Sequence, residues 1–219
     1  MRPSDRRRHK KENGTLIRPE VGCSHDIGMD TLIYIHGFNS AGNSAKPEAL
    51  RKMFPGVNIV APTFDYKNPA AVQKTLESLC LTRRPKLIIG TSLGGFFALL
   101  CGASHHYPAM AINPTTKPSE TLARNIGKNK NYVTGKQYIF TEQDIEKYRK
   151  LEEEQFNSIV LEDELTCFVL ATDDERLGDH TYLESRYPQC KNFNYFDGQG
   201  HRFGSLKPIR HLISSFLAK

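Results

Sequence analysis

The chain has no apolar run of the ~18 residues that a transmembrane helix needs. Its first residues, MRPSDRRRHKKENG, are basic and lack the apolar segment of a secretory signal. The five cysteines have neither the CxxC spacing of a zinc site nor an even number for a disulfide framework. These absences argue against a membrane protein and a disulfide-stabilised secreted domain. We therefore expect a cytoplasmic protein with reduced thiols.

Acidic residues are the minority among the charged ones, with 24 Asp and Glu against 30 Lys and Arg. Residues 1–28 contain seven of these bases and four of these acids, so this short segment supplies half of the net charge of +6. We expect it to be a basic, disordered tail that stays solvated rather than binding nucleic acid. Met29 then begins the folded domain, residues 29–219, and is a candidate for the natural start.

The length of 219 residues and the 38% hydrophobic composition predict one main globular domain. From residue 31 onward, short β-branched runs alternate with helix-forming segments, as in parallel βαβ units. The predicted strands are residues 32–36, 57–61, 86–89, 109–112, 165–172 and 192–196. The predicted helices are residues 44–54, 70–81, 94–104, 178–187 and 207–217. This order predicts an α/β protein with a mostly parallel sheet flanked by helices.

About fifty residues, roughly 115–164, interrupt the alternation and end in a charged helical stretch, 141–156. An excursion of that length in a compact domain is more often a lid or a binding wall than an idle loop. We therefore predict a small lid-like insertion. Its aromatic and apolar residues form either one wall of a substrate pocket or part of the core, and these are Tyr132, Tyr138, Ile139 and Phe140.

The most informative segment is Gly90-Thr91-Ser92-Leu93-Gly94, which matches G-x-S-x-G. An apolar strand precedes the motif and an apolar helix follows it, which is the setting of a nucleophile elbow. The turn is so tight that glycine is needed two residues to either side of the serine. The chain has no G-K-[ST] and no GxGxxG, so a phosphate loop is disfavoured. The pattern predicts Ser92 as a nucleophile.

A serine hydroxyl needs a base to remove its proton, and a carboxylate to orient that base. Of the eight histidines, His201 alone lies in a loop directly after the last predicted strand, at the sheet edge where Ser92 is expected. The carboxylate should follow a strand between these two residues in the chain. The candidates are Asp173, Asp174 and Glu175, with Asp179 as a weaker fourth. Spacing does not choose among the first three, and those not used should cap the next helix or stay solvated.

The negative charge that forms on a substrate carbonyl oxygen needs backbone N–H donors. One comes from the residue after the nucleophile, Leu93, and the other from the loop after the first strand. There Gly37 permits a sharp bend that leaves the Phe38 N–H free. His36, next to this bend, is expected to form structural hydrogen bonds rather than to act as a second base.

The chain resembles the YqiA/YcfP-type small α/β-hydrolases of bacteria from about residue 31 to its end. The resemblance rests on IYIHGFNSAGNSAK, IIGTSLGGFFA, INPTTKPSE, YVTGKQY, TDDERL and GQGHRF. It implies the α/β-hydrolase fold, with Ser92 as nucleophile, His201 as base and Asp174 as the acid. A departure from the pattern is Arg202, whose charge would favour anionic substrates.

The resemblance also implies esterase activity on acyl esters, with acyl-CoA thioesters as a further substrate class. The expected chemistry needs no cofactor and no metal, and the expected partner is a small acyl substrate rather than nucleic acid or a membrane. The alternative is a catalytically silent hydrolase-fold protein with a binding or regulatory role.

Overall fold

The structure is a computed structural model that describes residues 29–219. The predictions for residues 1–28 lie outside the described residues. The strands are β1 (Asp30–Ile35), β2 (Val57–Val60), β3 (Leu87–Thr91), β4 (Ala109–Ile112), β5 (Gly127–Lys130), β6 (Gln137–Phe140), β7 (Thr166–Ala171) and β8 (Phe193–Phe196). The helices are α1 (Ala45–Met53), α2 (Pro69–Arg83), α3 (Leu93–His105), α4 (Pro118–Thr121), α5 (Glu142–Glu154), α6 (Tyr182–Arg186) and α7 (Arg210–Leu217).

Six of these strands form one parallel sheet in the order β2-β1-β3-β4-β7-β8. Every residue of β3, β4 and β7 is buried. Alternate side chains enter two hydrophobic clusters, one with α2, α3 and α5 and the other with α1 and α7. Helices therefore cover both faces, which explains why the strands are continuous apolar runs. The predicted mostly parallel sheet flanked by helices is confirmed.

The predicted helix over residues 178–187 is wrong in its first half, because α6 spans only Tyr182–Arg186. Gly178 has a φ of 75°, which ends the preceding turn outside the helical region. Residues 178–181 form a loop that places the His180 side chain against Asp174. At the C-terminus a 3-10 turn, Lys207–Ile209, precedes α7 within the predicted helix 207–217.

The segment predicted as an insertion contains α4, a 3-10 turn, the antiparallel hairpin β5-β6 and α5. Thr141 and Asp144 form a capping box at the start of α5. The hairpin was not predicted, because β5 has the polar sequence GKNK, without an alternating apolar pattern. Its turn contacts the loop after β1, where the Tyr132 N–H donates to the Asn39 carbonyl at 2.8 Å.

No helix within residues 29–219 combines the length and the apolar character needed to cross a bilayer.

Candidate active site

Ser92 lies in the one-residue turn between β3 and α3, with φ 56° and ψ −118°. A Cβ atom on Gly90 would lie 2.0 Å from the Gly94 carbonyl oxygen. A Cβ atom on Gly94 would lie 2.1 Å from the Ile35 carbonyl oxygen. Side chains at these two positions would therefore clash with backbone, as the G-x-S-x-G pattern indicates. The turn leaves the Ser92 hydroxyl at the carboxyl edge of the sheet.

The loops after β7 and β8 bring a carboxylate and an imidazole to the same edge. Ser92 Oγ lies 3.0 Å from His201 Nε2, and His201 Nδ1 lies 2.9 Å from Asp174 Oδ2. Asp174 is 4% exposed and His201 is 8% exposed. The structure thus brings Ser92 and His201 together with Asp174, which is one of the three adjacent acids left open by spacing and the one that the resemblance implies.

Asp174 has the geometry of a carboxylate that stays ionised. Its Oδ1 accepts hydrogen bonds from the Arg176 and Leu177 N–H groups, both at 2.8 Å. Burial favours a higher pKa for this carboxyl, but hydrogen bonds from His180, His201 and Leu177 outweigh burial and hold the pKa well below its usual value. Ionised Asp174 can therefore accept from the His201 Nδ1–H and fix the tautomer that leaves Nε2 free.

Asp173 and Glu175 are both exposed, as expected of acids that stay solvated, and each also accepts hydrogen bonds from the opposite loop. Asp173 Oδ1 accepts from the Gln199 and Gly200 N–H groups at 3.1 and 3.0 Å. Glu175 Oε2 accepts from the His201 N–H at 2.8 Å. These contacts were not predicted, because strand order places the two loops side by side and the free N–H groups of one meet the carboxylates of the other. Asp179 instead accepts from Thr181 within its own turn.

The contact of His180 with Asp174 was not predicted, since the sequence pattern predicts a helix at His180. Its Nε2 lies 2.9 Å from Asp174 Oδ2, and the side chains of both residues are 1% exposed or less. Its Nδ1 is buried and has no hydrogen-bond partner among the described residues. Asp174 is therefore held between two imidazoles, one facing Ser92 and one behind.

Asn113, at the end of β4, is a second residue that was missed. Its side chain donates to the Gly200 and His201 carbonyl oxygens, both at 3.0 Å, and accepts from the Ala171 N–H at 2.7 Å. Asn113 thus ties the loop that contains His201 to the end of β7. The only available signal was its place in the INPTTKPSE motif after a strand, and that motif does not reveal the partners.

The two N–H groups predicted to bind an oxyanion, those of Phe38 and Leu93, have no acceptor among residues 29–219. The loop containing Phe38 is held by His36, whose Nε2 accepts from the Phe64 N–H at 3.0 Å. His36 Nδ1 therefore donates to the Gly37 carbonyl oxygen at 2.8 Å. Burial lowers the pKa of His36, with the Gly37 contact opposing it, so this imidazole is neutral and structural.

A cavity of about 270 Å³ opens beside Ser92 and His201. Tyr132 and Val133 of the insertion line it, and Phe38 lines both this cavity and a smaller one of about 40 Å³, which Ser92 also lines. The two alternatives for the insertion, a pocket wall or part of the core, apply to different residues. Tyr132 is a cavity wall, Phe140 is fully buried in the core, and Ile139 is 58% exposed. Tyr138 packs edge-on against Phe38, with ring centroids 6.3 Å apart.

A larger cavity, about 500 Å³, lies between the loop after β2 and the hairpin turn, and it contains none of Ser92, Asp174 and His201. Within the described residues, no group of three or more His, Cys, Asp or Glu side chains has an arrangement that could hold a metal ion.

Comparison with known families gives one match over most of the chain. The model of the family described as "Uncharacterised protein family (UPF0227)" matches residues 31–218. Among curated relatives, UPF0227 protein YcfP of Salmonella arizonae is 25% identical over 193 residues, which covers 84% of this chain and 97% of that protein. UPF0227 protein YE1706 of Yersinia enterocolitica is 25% identical over 197 residues, with the same coverage.

Solved structures share the architecture at low sequence identity. Est1E from Butyrivibrio proteoclasticus has a TM-score of 0.58 at 15% identity, covering 88% of this chain and 90% of that one. The monoacylglycerol lipase from Paleococcus ferrophilus has a TM-score of 0.61 at 12% identity, covering 87% and 95%. At these identities the likeness establishes the fold.

Proposed function

The chain belongs to the Uncharacterised protein family UPF0227, and from this membership and its α/β-hydrolase fold we propose that it is a serine hydrolase that cleaves carboxylic esters. The observation that supports this most directly is the continuous path from Ser92 through His201 to Asp174, with heavy-atom distances of 3.0 and 2.9 Å. Esterases and a lipase among proteins of the same fold are consistent with it.

In the proposed reaction, Ser92 Oγ attacks the ester carbonyl carbon while His201 Nε2 takes the hydroxyl proton. Asp174 stabilises the imidazolium that forms. His201 then returns the proton to the leaving alcohol, and an acyl group remains on Ser92. A water molecule, deprotonated by His201, attacks this acyl-enzyme and releases the carboxylic acid. These steps need neither a metal nor a cofactor.

The N–H groups of Phe38 and Leu93 serve as the oxyanion hole in this proposal. Both residues lie against Ser92, and both N–H groups lack an acceptor among the described residues. Each such donor stabilises the transition state by about 3 kcal/mol in serine hydrolases of known mechanism. In this proposal the insertion acts as a lid, a role supported by Tyr132 and Val133 in the cavity wall. Acyl-CoA thioesters fit the same steps, with a thiol as the leaving group.

Replacing the nucleophile tests the proposal. Ser92→Ala is expected to lower the hydrolysis of para-nitrophenyl butyrate by ~10⁴-fold or more, because no other group can form the acyl-enzyme. Covalent labelling by a fluorophosphonate probe should disappear, while the thermal midpoint stays close to that of the parent. Ser104→Ala is the matched control, because Ser104 is an exposed serine near the end of α3. This variant should keep both the ester hydrolysis and the labelling by the probe.

Two results would contradict the proposal. A Ser92→Ala variant that hydrolyses the ester at the parent rate excludes the acyl-enzyme mechanism. A parent chain that neither reacts with the probe nor hydrolyses esters or acyl-CoA thioesters indicates the alternative, a silent hydrolase-fold protein.

A further inference from the structure

We propose that the 270 Å³ cavity beside Ser92 is an anion subsite, and that the substrate is an ester or thioester bearing a negatively charged group. This inference rests on the proposed role of Ser92 and adds the substrate class. Lys46, Arg176 and Arg202 all line the cavity, and no Asp or Glu residue lines it. The three cations come from the first turn of α1, the loop with Asp174 and the loop with His201, so the fold assembles them from distant parts of the chain.

None of these three side chains forms an ion pair or a hydrogen bond with another described residue. The two acids nearby are already engaged, since Asp174 and Glu175 both accept hydrogen bonds from His201. Their carboxylates lie outside the cavity lining. The cavity therefore holds positive charge that the described protein leaves without a partner.

Lys46 gives the clearest indication that the positive charge of the cavity binds a ligand. The residue is half-buried, and burial, then the charge of Arg202, lower the pKa of its ammonium to about 8. A charge held away from water and beside a like charge costs free energy, which an anionic ligand offsets.

Arg202 is held in place by an aromatic contact rather than by an acid. Its guanidinium carbon lies 5.2 Å from the centroid of the Tyr132 ring, at the cavity wall. The guanidinium thus contacts the cavity wall, and its N–H groups, which have no acceptor among the described residues, are available to an anion. An ester bound to Ser92 with a carboxylate in this cavity would contact both Arg202 and Lys46.

Two pairs of chromogenic esters test the proposal, each matched except for charge. On the acyl side, mono-para-nitrophenyl adipate is compared with para-nitrophenyl hexanoate. On the leaving-group side, 4-butyryloxy-3-nitrobenzoate is compared with ortho-nitrophenyl butyrate, which has the same ring without the carboxylate. For at least one pair, the kcat/KM of the anionic ester should exceed that of the neutral ester by about tenfold, because a charge-assisted contact forms only with the anion.

The variants Lys46→Met and Arg202→Gln should each lower this ratio by about tenfold, mainly through KM. Matched controls are Lys74→Met on α2 and Arg210→Gln on α7, both exposed and outside the cavity, and these should leave the ratio unchanged. Arg202 is exposed, so its variant gives a result even if Lys46→Met does not fold.

A ratio at or below one for both pairs overturns the anion subsite, and so does a high ratio that neither variant changes. Ser92-dependent hydrolysis of the neutral esters in the same assay would leave the proposed function standing. If no ester of either kind is hydrolysed and the fluorophosphonate probe does not react, both proposals fail together.

Discussion

Asp174 is the residue at which burial and hydrogen bonding compete most directly. Its carboxylate accepts from two histidines and two backbone N–H groups, so it remains ionised although it is nearly inaccessible to water. The two histidines make different contacts. His201 contacts Ser92 with its other nitrogen, whereas His180 has no second partner among the described residues. The geometry gives His180 the role of a positioning residue that holds the carboxylate.

Removing the His180 donor should weaken both stability and turnover. His180→Leu deletes a buried hydrogen bond to a charged group, and we expect the free energy of unfolding to fall by about 2 kcal/mol. His180 is also the largest of the contacts that lower the pKa of Asp174, so that pKa should rise in the variant. The kcat for ester hydrolysis should fall while KM changes little, because the carboxylate is less well placed.

The direction in which pH changes the stability of the fold follows from the lowered pKa of Asp174. Ionised Asp174 stabilises the fold above the pKa of an unfolded Asp, about 4, and this stabilisation is lost as the pH falls through the lower folded value. In His180→Leu the contribution should be smaller and lost at higher pH. Urea unfolding across the acidic range measures this. His180→Gln keeps a donor and should recover part of the stability and kcat, and equal losses in both variants would rule out the positioning role.

At the scale of elements, the β3-α3 unit fixes the nucleophile by close backbone contact. The N-terminus of α3 approaches β1 so closely that Gly94 has no room for a methyl group. The same approach brings the Gly37 bend to Thr91, where a Cβ atom on Gly37 would lie 3.2 Å from the Thr91 carbonyl oxygen. The proposed oxyanion loop and the nucleophile turn are therefore joined by two close contacts, one at Gly94 and one at Gly37.

Gly94→Ala tests how much the close contact between α3 and β1 contributes to stability. The added methyl would lie 2.1 Å from the Ile35 carbonyl oxygen, so β1 and α3 must separate, and we expect a loss of about 3 kcal/mol in the free energy of unfolding. Gly56→Ala is the matched control, since a Cβ atom there meets nothing within 4 Å. Chemical denaturation compares the two, and equal midpoints would show that the turn is looser than described.

At the scale of the whole molecule, charge is divided unevenly. Residues 1–28 supply half of the net charge, while residues 29–219 contain 23 bases and 20 acids. All residues of the proposed chemistry, and all the cations that line the cavity, lie within residues 29–219. We therefore predict that neither proposal depends on the basic N-terminal segment.

Deletion of residues 1–28 should leave kcat/KM for para-nitrophenyl butyrate unchanged, because every residue in the proposed mechanism lies in 29–219. The full chain and the shortened one should also elute together from immobilised DNA at moderate salt. Strong retention of the full chain that disappears on deletion, and that falls steeply with salt, would instead indicate nucleic-acid binding by the basic segment.

The sequence alone determined the alternation of strands and helices, the elbow at Ser92 and the likeness to YcfP-type proteins. These features are local, because strand and helix patterns and a tight G-x-S-x-G turn are specified by neighbours in the chain. It also indicated the loops from which a carboxylate and an imidazole approach Ser92, since a parallel sheet brings the carboxyl ends of its strands to one edge.

Only the tertiary structure decided which side chains meet at that edge. Asp174 contacts His201 while Asp173 and Glu175 bind the backbone of the opposite loop, although the three are consecutive in sequence. Asn113 and the loop containing His201, and Lys46 and Arg202 at the cavity, are likewise brought together from segments far apart along the chain, whereas His180 reaches Asp174 from six residues away through the turn at Gly178. Such contacts depend on how loops are positioned by strand order and packing, and no spacing in the sequence encodes them.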